Sequence, residues 1–329
     1  RQAPEEYRDK FFVSGSLCIP DEGASVQMEG VMFRKHIDRA SVARLIFTNR
    51  ERTTIHVTIN DTIHKVYNPE PGPEVQQIDI HTPIRSLEVR IANPAGFIGY
   101  GIVFENKNGV SLDNYSIRGN SGLALFGTNA AVNARIGAMR GYDLIILQYG
   151  LNVMSADVLH YGSYEKAFIK VINYMKRCFP NSSILVMGVC DRSTQRDGEF
   201  VTMPAVRGMI EAQRNAARET GVAFWNTFEA MGGENSMVEF VRKNWAAKDY
   251  THLGYAGGKF IAGKLVGNWM QGVEAEQQRR DRIEEERRKN EMLHYNRNDT
   301  IPGTIETETE TDSDADADTT FTTNEFAQP

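Results

Sequence analysis

Two polar residues near position 250 have the types and the spacing of a general-base pair. In "KDYTHLGYAGG", residues 248–258, Asp249 and His252 stand three positions apart, in a loop that runs into a glycine-rich helix start. A histidine can accept a proton from a nucleophile when an aspartate orients its ring and stabilises its charged form. The pair therefore indicates the base end of a catalytic site, although pairs with this spacing also arise by chance.

Two other segments could supply hydrogen-bond donors to a developing oxyanion. The apolar run 143–149 is soon followed by Asn152, whose side chain would lie at the carboxyl end of a parallel strand, where open α/β sheets place their sites. In "SIRGNSGLAL", residues 116–125, Gly119 and Gly122 offer backbone N–H groups that no side chain obstructs. An Asx turn or helix cap at Asn152, and a plain turn at the glycines, are the alternative interpretations.

The composition is that of an ordinary globular protein, with 329 residues, of which 41% are hydrophobic and 24% are charged. This length allows about two domains. No apolar run reaches the roughly 18 residues that a membrane-spanning helix needs. The net charge is −6, but residues 303–329 hold eight acidic residues and no Lys or Arg, which leaves the rest at +2. A nearly neutral body gives no reason to expect a nucleic-acid partner.

The cysteines and the first residues carry less information. Cys18, Cys178 and Cys190 fit neither a disulfide framework nor a zinc site, so we expect buried free thiols and no metal. The chain begins at Arg1 without a charged and apolar leader, which indicates a processed or truncated chain.

Residues 8–108 have the pattern of an antiparallel β-sandwich or jelly-roll module. Short segments rich in β-branched and aromatic residues partly alternate, and turn residues such as "NPEPGPE" separate them. The predicted strands are 11–19, 41–49, 53–61, 74–81, 86–94 and 97–106.

Residues 109–270 have the pattern of an α/β domain. The short apolar runs 143–149, 183–189 and 222–226 are typical of parallel strands that are buried on both faces. Between them, segments 163–179 and 203–219 carry apolar residues at intervals of three and four, as amphipathic helices do. The sequence predicts a three-layer α/β/α domain with a parallel sheet.

The C-terminal residues are strongly charged. Residues 271–298 predict a solvated helix that carries many i to i+4 ion pairs; a coiled coil is the alternative, with a poor seam because Ile283 is nearly its only apolar residue. Residues 299–329, rich in threonine and acids, predict a disordered tail.

The order of these motifs resembles the SGNH (GDSL) hydrolases. A glycine block, a strand followed by Gly-x-Asn and a late Asp-x-x-His occur in that order over about residues 109–270. The β-rich module ahead of the glycine block is similar to the arrangement in peptidoglycan O-acetylesterases. The resemblance implies a sheet of flavodoxin-like order and a serine hydrolase that needs no metal or cofactor.

Carried over to this sequence, the resemblance implies a role for four residues. His252 would be the general base and Asp249 its orienting acid, while the Gly122 N–H and the Asn152 side chain would be oxyanion donors. The family often has an aspartate after the asparagine, whereas this chain has Val153. The resemblance also implies that the substrate is a carbohydrate or an acylated cell-wall polymer, such as an O-acetylated one. It further implies an extracytoplasmic location.

The nucleophile of that family lies in a Gly-Asp-Ser block, which these 329 residues do not contain. Ser16 follows Gly15 but lacks the aspartate and lies in a segment that ends at Pro20, so we do not expect it to be the nucleophile. In a doubly wound sheet of order 2-1-3-4-5, removal of the first strand leaves unpaired inner edges. We therefore expect the serine and that strand to come from sequence before Arg1.

Three functional hypotheses follow from the sequence. The first is an ester hydrolase of the SGNH type. The second is a glycan-binding protein with an inactive α/β domain, and the third is an interaction protein that recruits a partner through the charged helix and tail. Hydrolysis of a generic ester separates the first from the other two.

Overall fold

The computed structural model describes residues 5–31 and 37–298, with the side chains up to residue 293. The chain divides into two compact units, Arg1–Gly267 and Asn268–Pro329. The acidic tail predicted to be disordered lies outside the described residues.

The N-terminal part is an antiparallel β-sandwich, as the sequence predicts. Four strands pair in the order β1-β6-β3-β4 and three in the order β5-β2-β7. The strands are β1 (Ser25–Glu29), β2 (Ala40–Asn49), β3 (Thr54–Ile59), β4 (Ile63–Tyr67), β5 (Gly72–Ile84), β6 (Ser86–Ala92) and β7 (Phe97–Glu105).

The alternation of apolar residues explains the packing of the sandwich. In β3 and β6 every second side chain is buried, as a strand with one face on a core requires. The inner faces of the two sheets share one apolar core that includes Phe47, Ile55, Ile80 and Leu87. This core gives the sandwich an interior separate from that of the α/β part.

The prediction of a strand at residues 11–19 is wrong. A turn forms there instead, in which Gly15 N donates to the Phe12 carbonyl (2.9 Å), and only Cys18 makes an isolated bridge, to Gly99. Gly15 has φ of +66°, a conformation that interrupts a strand. Phe12 is buried in the core of the α/β part rather than in the sandwich. Cys18 is exposed, contrary to expectation, whereas Cys178 and Cys190 are buried free thiols.

The α/β part contains a parallel sheet of order β12-β9-β8. Its strands are shorter than predicted, and a hairpin of β10 and β11 that the sequence analysis did not predict follows β9. A short 3-10 helix, Leu123–Gly127, precedes these elements. They are α1 (Ala130–Arg140), β8 (Leu144–Leu147), α2 (Gly162–Cys178), β9 (Ser183–Met187), β10 (Ser193–Arg196), β11 (Glu199–Thr202), α3 (Ala205–Thr220), β12 (Ala223–Trp225), α4 (Thr227–Met231), α5 (Ser236–Arg242) and α6 (Tyr255–Asn298).

Helices cover both faces of the central strand β9. Ile184 and Val186 belong to the core that α2 and α3 share. Met187 belongs to a second apolar cluster, with side chains from α4, α5 and the start of α6, such as Ile261. Residues that alternate along a strand face opposite sides, so this arrangement gives the predicted layers of helix, sheet and helix.

Helix α6 becomes strongly charged after its first turns. Four ion pairs join residues four positions apart, among them Arg280 with Glu276 (2.9 Å) and Lys289 with Glu285 (2.7 Å). Ile283 is half exposed. The predicted charged helix is confirmed, with its ion pairs on the solvent side. None of the described helices is both long enough and apolar enough to span a bilayer.

A buried ion network joins β7 to the end of α1. The Arg140 side chain, 3% exposed, donates to Glu105 at the end of β7 (2.7 Å) and to Asp113 (3.1 Å). Tyr142 OH also donates to Asp113 (2.7 Å), and Arg44 on β2 pairs with Glu105. The Arg140 guanidinium thus bridges two carboxylates where the sandwich meets the α/β part, and Arg44 shares one of them.

Removing the Arg140 charge should strongly destabilise the protein. In Arg140→Met, Asp113 loses its buried guanidinium partner while Glu105 keeps Arg44, and we expect a loss of about 3 kcal/mol in the free energy of unfolding. Urea denaturation of the wild type and the variant measures it. The matched control is Arg242→Met, whose exposed pair with Glu239 should contribute less than about 1 kcal/mol. Equal losses in the two variants would contradict the proposed weight of the network.

Candidate active site

The Asp249–His252 pair forms a direct hydrogen bond. His252 Nδ1 lies 2.7 Å from Asp249 Oδ2. The His252 side chain is 78% exposed and that of Asp249 is 50% exposed. With Nδ1 directed to the carboxylate, the Nδ1–H tautomer leaves Nε2 open on the solvent side as a proton acceptor. This is the arrangement that a general base needs.

The local backbone explains why these two side chains meet. Asp249 Oδ1 accepts from Thr251 N and His252 N, both at 3.0 Å, which closes an Asx turn. Ala247 N donates to the His252 carbonyl (2.8 Å) and so closes the loop around the turn. The aspartate therefore both forms the turn and orients the imidazole.

These hydrogen bonds hold the pKa of Asp249 well below its ordinary value, at about 2. The backbone N–H of His252 is the largest cause, and the hydrogen bond from the His252 side chain is the next. Hydrogen bonds to the charged form favour that form. Asp249 is thus an anion at any pH at which an esterase works, as its orienting role requires.

The two expected oxyanion donors meet at one residue, Asn120. Gly122 N donates to Asn120 Oδ1 (2.8 Å), and Asn152 Nδ2 donates to the Asn120 carbonyl (3.2 Å). Gly122 has φ of +91°, and a Cβ there would lie 3.1 Å from the Tyr149 ring. Both the conformation and the close ring require glycine at position 122.

A buried glutamine fixes the loops that follow β8 and β9. Gln213 on α3 is fully buried; its Nε2 donates to the Tyr149 carbonyl (2.8 Å), and its Oε1 accepts from Val189 N (2.9 Å). Gly150, at φ of +109°, packs against the same side chain. The amide thus joins the carboxyl ends of two neighbouring parallel strands, next to Asn152.

The loop after β9 connects the asparagine side of the site to the histidine side. Arg192 Nη1 donates to the Leu151 carbonyl (3.4 Å), and Ser193 N donates to the Tyr250 carbonyl (3.0 Å). Leu151, Tyr250 and Leu253 also pack against one apolar cluster. The loop that carries Asn152 and the turn that carries Asp249 and His252 therefore both contact the loop at the carboxyl end of β9.

Sequence reasoning missed the residues that hold this site together. Asn120 stands inside the quoted glycine block, and an Asn two positions before a glycine is a signal for an Asx turn. Gln213 lies on the apolar face of a predicted helix, and a polar residue there is a signal for a buried hydrogen-bond partner. Arg192 and Ser193 follow the predicted strand 183–189, in a loop that carried no motif.

Ser16 lies in the turn after Phe12, where its N–H contacts Ser14 Oγ at 3.4 Å. Gly15 approaches Ile117 at the start of the glycine block. Within residues 5–31 and 37–298, the imidazole of His252 has a side-chain hydrogen bond to Asp249 and to no hydroxyl group. The same residues contain no group of three or more His, Cys, Asp or Glu that could hold a metal ion.

Comparison with known proteins shows which fold the chain shares. No family model matches the sequence, and no curated protein matches it. A solved peptidoglycan O-acetylesterase superposes with a TM-score of 0.61 at 21% identity, over 80% of this chain and 72% of that chain. The chain therefore shares the fold of that enzyme.

Two further solved structures are less similar. An acetyl xylan esterase has a TM-score of 0.34 at 16% identity, over 46% of this chain and 77% of that chain. A family two carbohydrate esterase from Clostridium thermocellum has a TM-score of 0.28 at 10% identity, over 77% of this chain and 93% of that chain.

The pKa of Asp249 should depend on the hydrogen bonds that its carboxylate accepts. We expect the carboxyl group to titrate at about 2 in the wild type. In His252→Ala the value should rise but stay below the ordinary value of about 3.9, because the two backbone donors remain. At pH values above the ordinary pKa, the hydrogen bonds of the ionised Asp249 stabilise the fold. This contribution is lost as the pH falls through the pKa that Asp249 has in the folded protein. Carbon-13 NMR of the carboxyl group measures both values, and an ordinary value in the wild type would contradict the assignment.

Proposed function

We propose that the protein is an SGNH-type carboxylic-ester hydrolase that removes O-acetyl or other O-acyl groups from a carbohydrate or cell-wall polymer. The observation that carries the proposal is the Asp249–His252 hydrogen bond with Nε2 open. The loop after β9, which contacts both the Leu151 and the Tyr250 carbonyls, supports a position of this pair near Asn152. The fold shared with a peptidoglycan O-acetylesterase supports the choice of substrate class.

The proposed reaction is acyl transfer through a serine. His252 Nε2 accepts the serine proton while the oxygen attacks the ester carbonyl, and Asp249 stabilises the imidazolium that forms. The Asn152 amide, which keeps a second N–H beside its bond to the Asn120 carbonyl, donates to the oxyanion. The Gly122 N–H joins it when the oxyanion replaces Asn120 Oδ1 as the acceptor of that N–H. As the bond between the carbonyl carbon and the sugar oxygen breaks, His252 gives its proton to that oxygen, which leaves as a hydroxyl, and an acyl-serine remains. Water then attacks the acyl-serine while His252 accepts the water proton and returns it to the serine oxygen, which releases the acid.

The open edge of β8 supports a position for the serine. Among the described residues β8 pairs only with β9, which leaves the other edge of β8 without a partner strand. A parallel strand paired along this edge would end beside Gly150 and Asn152. We place the nucleophile at the end of such a strand, supplied by sequence outside these 329 residues.

The proposal also covers the sandwich and the location of the protein. The sandwich, residues 8–108, would help to hold the glycan beside the α/β domain at 109–270, and the enzyme would act outside the cytoplasm on its polymer. A glycan-binding protein without activity is the alternative, since no hydroxyl group of the described residues reaches the imidazole.

Hydrolysis of an aryl acetate by the full-length gene product tests the proposal. Asn152→Ala should lower kcat by about 10² to 10³, the usual effect of losing one oxyanion donor. His252→Ala should lower it by at least about 10³, because the serine loses its base. The matched control is His56→Ala, an exposed histidine on β3 of the sandwich.

Two results would contradict the assignment. Activity that His252→Ala leaves unchanged would show that another site hydrolyses the ester. A folded full-length protein with no activity on acetylated glycans or aryl acetates would favour the glycan-binding alternative.

A further inference from the structure

Tyr250, which follows Asp249 in the Asx turn, has an unusual backbone conformation. Tyr250 has φ of +54°. Left-handed backbone is unfavourable for a bulky aromatic residue and persists only where surrounding contacts impose it. Because His252 is largely exposed, the position of its ring depends mainly on the backbone of this turn. Whatever holds Tyr250 therefore also sets the geometry of the imidazole.

The β10–β11 hairpin supplies the contacts that hold Tyr250. The ring of Phe200, on β11, stacks on the Tyr250 ring with 3.6 Å between centroids and 9° between planes. Ser193, at the start of β10, donates its N–H to the Tyr250 carbonyl (3.0 Å). A side-chain contact and a backbone contact from one hairpin thus hold the same residue.

The base of this hairpin is fixed to the α/β part. Met203 N donates to the Arg192 carbonyl (2.7 Å), just outside the paired strands. Thr202 and Asn235 exchange two hydrogen bonds, since Thr202 N donates to Asn235 Oδ1 (2.9 Å) and Asn235 N donates to Thr202 Oγ1 (2.7 Å). The hairpin therefore presents Phe200 from a fixed support.

We propose that Phe200 is a positioning residue for the Asp249–His252 pair and acts through Tyr250. The stacked rings keep the turn in its left-handed conformation, which keeps His252 Nδ1 on the carboxylate and leaves Nε2 free. The effect of Phe200 on catalysis rests on the proposed esterase function. The coupling between Phe200 and the imidazole is a property of the fold and does not. No described contact joins Phe200 to His252 directly.

The tautomer of His252 tests this coupling without any substrate. Nitrogen-15 NMR of the full-length protein distinguishes the Nδ1–H from the Nε2–H form of the ring. The wild type should be mainly Nδ1–H. Phe200→Ala should shift His252 towards Nε2–H, the form that free imidazole side chains favour in water, and Phe200→Tyr should keep the wild-type form. Gln195→Ala, which changes the residue paired with Phe200 across the hairpin, is the matched control and should have no effect.

A second substitution tests whether Phe200 acts through Tyr250. Glycine adopts positive φ without strain. In Tyr250→Gly the turn no longer needs the stack, so adding Phe200→Ala to it should cause no further shift towards Nε2–H. This non-additivity is the expected signature of two residues that act as a unit. Equal effects of Phe200→Ala in both backgrounds, or no effect in the wild type, would overturn the proposal.

Ester hydrolysis gives the catalytic readout. Phe200→Ala should lower kcat on an aryl acetate by up to about 10², the scale expected of a misplaced base, with little change in KM. A tautomer shift in a protein that hydrolyses no ester would contradict the esterase function and leave the positioning intact. Unchanged tautomers in an active enzyme would contradict the positioning alone.

Discussion

The site depends on the amide of Gln213, which joins the carboxyl ends of β8 and β9. Every element of the candidate site attaches to the loops that leave these two strands: Asn152 follows β8, and the loop after β9 contacts the turn of Asp249 and His252. Because the side chain is fully buried, neither of its hydrogen bonds can be replaced by solvent. Movement of one strand end relative to the other would displace the loop that carries Asn152 from the loop that contacts Tyr250.

The candidate site contains two Asx turns. In each, an Asn or Asp side chain accepts a hydrogen bond from the backbone N–H two residues later. Asn120 bonds Gly122 N, and Asp249 bonds Thr251 N. The neutral Asn120 brings the Gly122 N–H and the Asn152 side chain together, whereas the charged Asp249 also binds the imidazole. A short polar side chain therefore sets the local geometry in both halves of the site.

The sequence predicted the sandwich, the parallel strands and the charged helix because each has a strong period or composition. It also singled out Asp249 and His252, which interact locally at a spacing of three. It could not predict Gln213 or Arg192 as partners, because their bonds join residues 64 or 41 positions apart. The strand at 11–19 failed because periodicity could not show that Gly15 takes a left-handed conformation.

The open edge of β8 has a consequence for handling the protein. Within residues 5–31 and 37–298 only β9 pairs with β8, and the backbone groups of an unpaired strand edge are a template for pairing with any extended chain. A preparation in which no strand covers this edge should self-associate increasingly with concentration. Solubility during expression thus becomes a sensitive indicator of whether the edge is covered.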